Sequence, residues 1–223
     1  YFGFLTLGIF ISLIFWMIFF TLGFFGKNQI LSNSISAFII VASLFVINLL
    51  AIYNFEKGIK IRTYDIESDK ITKTYKILQV GDIQYGSVSQ KYMENVFELA
   101  AKQNPDMILF VGDLIDFDFY KEEDFNFLQN ISIPIYFING NHEFYHGKDR
   151  IASYLDKLNH VKILNNERAA YNKEIDIIGI DYCTSENQLT NRLEKISLEN
   201  DKLSILLYHE PKAVEIGVKK GFD

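Results

Sequence analysis

The chain has one cysteine, Cys183, among its 223 residues, which excludes an internal disulfide framework. It contains no repeat and no low-complexity tract, which removes solenoids and biased linkers from consideration. It also lacks an excess of positive charge: the formal net charge is -6. Lys27 is the only charged residue among the first 55, so the rest is more negative still. An acidic remainder argues against a nucleic-acid-binding surface. Charge itself is missing from residues 1–25 and again from 35–53. At 1.5 Å per residue these runs span roughly 37 Å and 28 Å as helices, against a hydrocarbon core of about 30 Å.

What these uncharged runs offer is two transmembrane spans joined by a short turn at 26–34, a hairpin occupying residues 1–55. A signal peptide is the alternative for the first run and a buried core helix for the second. Lys57, Lys60 and Arg62 follow the second run closely, whereas the turn has only Lys27. The positive-inside rule then places the remaining chain on the cytoplasmic side of the plasma membrane. The chain opens at Tyr1 rather than Met and stops at Lys219-Lys220-Gly221-Phe222-Asp223, where another strand is expected. It therefore reads as a fragment.

Residues 56–73 read as a polar linker, and from 74 to 223 strand and helix patterns alternate. Strands are expected at 75–80, 107–111, 135–138, 161–164, 175–180 and 203–208. Helices are expected at 89–103, 122–130, 149–158, 188–197 and from Pro211 to about Val218. Alternation of this kind argues for a layered α/β fold, whose ligands sit at the carboxyl ends of strands.

Four motifs fall at such ends: Gly81-Asp82-Ile83-Gln84, Gly112-Asp113-Leu114-Ile115-Asp116, Gly140-Asn141-His142-Glu143 and Tyr208-His209-Glu210-Pro211. Asp, Asn, Gln and His at converging strand ends suit two hard-to-borderline divalent ions, and paired ions of that kind hydrolyse phosphate esters. If the first strand reaches Gln84, Asp82 and Gln84 point to one side and offer a carboxylate and an amide oxygen to one metal. A solvated turn with Asp82 capping amides is the alternative. Asp113, after a glycine that permits close approach, is placed to bridge two ions, and Asp116 to orient a histidine; an acidic surface loop is the alternative. Asn141 offers a neutral carbonyl oxygen, and His142 a proton for a leaving alkoxide. A histidine such as His209 after an apolar strand is, alone, as readily structural. His146 and His160 read as ordinary loop residues.

In order and spacing these motifs resemble the calcineurin-like metallophosphoesterases, over about 75–223, and the apolar runs resemble the membrane-anchored bacterial branch of that family. The resemblance implies an α/β/β/α sandwich with a dinuclear site between its sheets. It implies Asp82 and Gln84 at one metal, Asp113 bridging, and Asn141 and His209 at the other. His142 would be the leaving-group acid and Asp116 its partner. The family usually has His where this chain has Gln84; the neutral oxygen favours Mn or Mg over Zn or Fe. The stretch Asp82-Ile83-Gln84-Tyr85 is similar to manganese-dependent ADP-ribose and CDP-alcohol diphosphatases. The family's last motif, Gly-His-x-His, is absent and would be expected shortly after Asp223, so the fragment itself is expected to be inactive or poorly metallated. Implied partners are the lipid bilayer and a small phosphorylated substrate: a phospholipid, a lipid-linked pyrophosphate or a nucleotide. Two other readings are a catalytically degenerate membrane protein of the same fold that binds a nucleotide or partner, and a regulatory domain on a transporter.

Overall fold

A computed structural model describes residues 29–56 and 58–223, together with Ile14 and Met17. The chain divides into two units, 1–63 and 64–223.

In the first unit, helix α1 (Gln29–Glu56) covers the whole of the second uncharged run. Phe38, Val41, Phe45 and Leu49, spaced along one stripe, are all exposed, as are Val46 and Leu50 beside them. Side chains along α1 are described without a break from 38 to 51, and among the described residues no helix is long and apolar enough to cross a membrane. The first uncharged run lies outside the described residues except for Ile14 and Met17, so the hairpin remains an expectation from sequence.

In the second unit, β1 (Ile77–Val80), β2 (Met107–Phe110), β3 (Ile135–Phe137) and β4 (Val161–Ile163) form one parallel sheet in that order. Ile77 stands opposite Met107, Ile108 opposite Ile135, and Ile135 opposite Val161. A second sheet runs β5 (Glu167–Ala170), β6 (Ile175–Gly179), β7 (Leu203–Leu207), with β5 antiparallel to β6 and β7 parallel to it.

Side-chain alternation along the strands builds the layers. Ile108 and Phe110 of β2 face α2 (Gln90–Lys102) and its neighbours, where Phe97, Phe110 and Phe137 stack with centroids 5.8 Å and 5.2 Å apart. Met107 and Leu109 face the other way, onto Ile175 and Ile177 of β6. Ile178 and Ile180 continue to the far side, against Leu189 and Leu193 of α5 (Glu186–Glu194) and Ala213 of α6 (Ala213–Lys220). The result is the expected α/β/β/α order.

Element boundaries moved for local reasons. Ser89 caps α2 by accepting from the Tyr92 amide, and Asn104 at φ 49° ends it. Residues 122–130 form a 3-10 helix (Glu122–Asn130), whose buried Phe125 and Leu128 lie three apart, the period of that helix. Two elements escaped the sequence reading. One is β5, a polar edge strand with only Ala169 buried. The other is the short helix α3 (Asn141–His146), followed after Gly147 by α4 (Lys148–Leu155). The first strand ends at Val80, as expected, so the condition under which Asp82 and Gln84 would share a strand face is not met.

Gly179 lets the two sheets close: a Cβ there would lie 2.2 Å from Leu164 Cβ and 2.8 Å from Ile138 Cγ2. Gly179→Ala is expected to lower unfolding free energy by about 1–3 kcal/mol. Urea denaturation reads this, and an unchanged midpoint would show that the inter-sheet packing yields freely.

Candidate metal centre

Beyond Val80 the chain leaves the sheet and runs beside the loop that follows β2. The Asp82 amide donates to the Gly112 carbonyl (3.0 Å), Gln84 N to Asp113 O (2.9 Å), Tyr85 N to Leu114 O (2.8 Å) and Asp116 N back to Tyr85 O (2.9 Å). Asp82, Gln84 and Asp113 all take left-handed backbone, with φ of 53°, 54° and 57°. Side-chain convergence therefore comes from three left-handed turns, not from the shared strand face that sequence suggested. Non-glycine residues in this region cost energy and cluster at functional sites. The close approach of loops is set by Gly140, where a Cβ would lie 2.0 Å from Asp113 Oδ1.

Asp113 is the buried hub. Its Oδ1 accepts from the His142 amide at 3.0 Å. Its Oδ2 lies 3.4 Å from His209 Nε2, 3.8 Å from His142 Nε2 and 3.5 Å from the Gln84 side-chain amide. His209 Nδ1 is 2.9 Å from the Val111 carbonyl, to which it donates, and Nε2 is 2.9 Å from Asn141 Oδ1. One ring nitrogen is thus spent on backbone and the other aimed into the site, the arrangement that orients a metal-binding histidine. Among the described residues, Asp82, Asp113 and His209 each bring a ligand atom to within 4.8 Å of the others. Asn141 and Gln84 add neutral amides beside them. A carboxylate, imidazole and amide set at this spacing fits borderline divalent ions.

His142 sits at the second position of α3, its Nδ1 2.8 Å from Asp116 Oδ1. Ser87 Oγ donates to the other oxygen of Asp116. The expected pairing of His142 with Asp116 is present, and the structure brings all seven expected site residues together. His146 is the last residue of α3, its ring 5.9 Å from that of His142. His160 lies elsewhere, at the start of β4, where burial lowers its pKa.

Glu143 received no role from sequence. It is fully buried, and its carboxylate accepts from four amides: Asp113 (2.7 Å), Leu114 (2.7 Å), Ile115 (3.1 Å) and Gly140 (2.8 Å). The available signal was a glutamate three residues after a helix N-cap, the capping-box position. Burial raises its pKa, against the pull of those amides.

The charges of the centre are coupled. Burial raises the Asp113 pKa, but the His209 hydrogen bond and the His142 amide outweigh it and hold the group below its usual value. Burial lowers His209, yet the bond to Asp113, the Val111 carbonyl and both carboxylates push it up to about 9. Burial raises Asp82, with Asp113 adding to it and His209 opposing.

The family model for calcineurin-like phosphoesterases matches residues 75–216. An uncharacterized metallophosphoesterase of Campylobacter jejuni is 31% identical over 219 residues, covering 91% of this chain and 57% of its own. Two uncharacterized metallophosphoesterases from strains of Helicobacter pylori are 32% and 33% identical, each covering 70% of this chain and 44% of its own. The chain spans about half the length of the curated relatives it matches.

Two outcomes follow from this geometry. Glu143→Ala leaves four amides without their acceptor and is expected to destabilise by roughly 3 kcal/mol in chemical denaturation. The metal-free protein should also show a stability plateau. The His209 contribution is fully present below pH 6.5 and is lost as pH rises through about 9. That of Asp113 is present above pH 3.8 and is lost as pH falls through its lower folded value. Thermal unfolding across pH reads both limbs, and a flat midpoint from 6.5 to 9 would contradict the His209 assignment.

Proposed function

Since the chain belongs to the calcineurin-like phosphoesterase family, we propose that it is the core of a divalent-metal-dependent phosphoesterase. The observation that carries this is the His209 ring, fixed on Val111 and presenting Nε2 to Asp113 and Asn141. Asp82, Asp113 and His209, with the amides of Gln84 and Asn141 beside them, are the residues that would hold the divalent ions. Bound divalent ions supply Lewis acidity and bring the pKa of water toward neutrality. The His142 amide donates to Asp113 Oδ1, which fixes the imidazole beside the residues that would hold the ions. His142 gives a proton to the leaving alkoxide, and the Asp116 carboxylate holds the ring for that transfer. Gln84, with a neutral hard oxygen, favours Mn or Mg over Zn or Fe.

The substrate is a phosphate ester or pyrophosphate. The uncharged runs at 1–25 and 35–53 anchor the protein in the plasma membrane, and the basic residues after the second run put the domain on the cytoplasmic side. The exposed apolar stripe of α1 supports that anchoring. Gln84 also favours a second reading, a non-catalytic member that binds a phosphorylated ligand.

In the full-length protein with Mn, Asp113→Asn is expected to abolish turnover. His142→Ala should lower kcat by about 10²–10⁴ for an alkyl leaving group, and less for a nitrophenolate. Steady-state kinetics on both substrates check this. Retained activity in Asp113→Asn, or equal losses on the two leaving groups in His142→Ala, would overturn the roles. Wild-type binding of phosphate without turnover would select the second reading.

A further inference from the structure

Next to His142 stands an apolar surface that the chemistry above does not use. Phe117 follows Asp116 directly and is 41% exposed; Phe119 is 75% exposed. Their rings stack on each other, 5.3 Å between centroids and 18° apart. Phe117 then meets His146 at 6.0 Å, and His146 meets His142 at 5.9 Å, so an aromatic strip leads from open solvent to the proton donor.

The strip is not exposed because its loop is loose. Arg150 Nη1 donates to the Asp118 carbonyl at 2.6 Å, and Nη2 donates to the Tyr120 carbonyl. The guanidinium also lies 4.6 Å from the centre of the Tyr120 ring, and Tyr120 is itself buried. Tyr120 Oη donates to the Gly147 carbonyl at 3.3 Å. The backbone on either side of Phe119 is therefore pinned to α4, and the two rings are held out toward water at a standing cost in hydration.

We infer that this strip binds the acyl or prenyl part of a lipid phosphate whose phosphoryl group sits at the metal centre. The inference rests on the phosphoesterase reading above. Phenylalanine offers no hydrogen-bonding group to read a base edge, and the two rings already use one face each on one another. Charge separates the occupants as well. Asp118 stands between the two phenylalanines in the sequence. Its carboxylate repels any further phosphate of a nucleotide and is indifferent to a hydrocarbon chain. A chain with two uncharged runs of membrane length also works where such substrates are.

The test compares non-hydrolysable phosphonates binding to the Mn-loaded full-length protein in detergent, by calorimetry. The probes are a short-chain diacyl phosphonate analogue of phosphatidic acid, the same molecule without its chains, and a nucleoside 5′-phosphonate. The diacyl probe is expected to bind at least about tenfold tighter than the deacylated one. Phe117→Ser/Phe119→Ser, which sees the same detergent, should collapse that ratio to about one. Both rings are exposed, so circular dichroism should be unchanged. A ratio near one in the wild type, or an unchanged ratio in the variant, overturns the lipid assignment while leaving the phosphoesterase reading intact. Tighter binding of the nucleoside probe overturns it in favour of a nucleotide. Failure of every probe and of inorganic phosphate to bind with Mn sinks the phosphoesterase reading and this inference with it.

Discussion

A carboxylate buried away from all solvent carries a heavy desolvation cost unless donors surround it, and Glu143 is surrounded by backbone amides alone. Three of those amides belong to the loop after β2 and one to the loop after β3. The side chain thus clamps the loops that follow two neighbouring strands. Asp113 is presented by the first loop, and Asn141 and His142 by the second. The clamp sets where these three stand relative to one another. The close contact of Gly140 with Asp113 is the steric counterpart of the same arrangement: the loops meet where no side chain intervenes.

The centre stores a second compensation. Without a cation, the positive partner of Asp113 and Asp82 is the His209 ring, held charged well above its ordinary range. A divalent ion held by Asp82, Asp113 and His209 would need that ring deprotonated, so metal affinity and acidity would be linked. The Val111 carbonyl fixes the ring through Nδ1 and leaves Nε2 directed at Asp113 and Asn141.

How legible was this in the sequence? The layered fold was, because buried parallel strands such as β2 read as unbroken apolar runs and the connecting helices carry their own caps. The residues that converge at the candidate centre were legible too, since oxygen- and imidazole-bearing side chains followed each such run. The path bringing Asp82 and Gln84 to the site was not: left-handed backbone leaves no periodic trace, and only the flanking glycines hinted at it. Glu143 was invisible as an organiser, since its partners are main-chain amides distant in sequence. Strand β5 was missed because a polar edge strand has a single buried position, Ala169, and so no alternation to detect. The stacked Phe117 and Phe119 were visible as composition, but only the ties of Arg150 show that they are held in place rather than loosely collapsed.

The left-handed conformation at Asp82, Gln84 and Asp113 also sets which ligands evolution can exchange there. Branched side chains are barred from that region of dihedral space, whereas aspartate, asparagine, histidine and glycine enter it at modest cost. Glutamine, unbranched at Cβ, already stands in this conformation at position 84, and a histidine would enter it with no rebuilding of the main chain. If position 84 binds an ion as proposed, the preference for harder or softer cations would be a one-residue dial set on a fixed backbone.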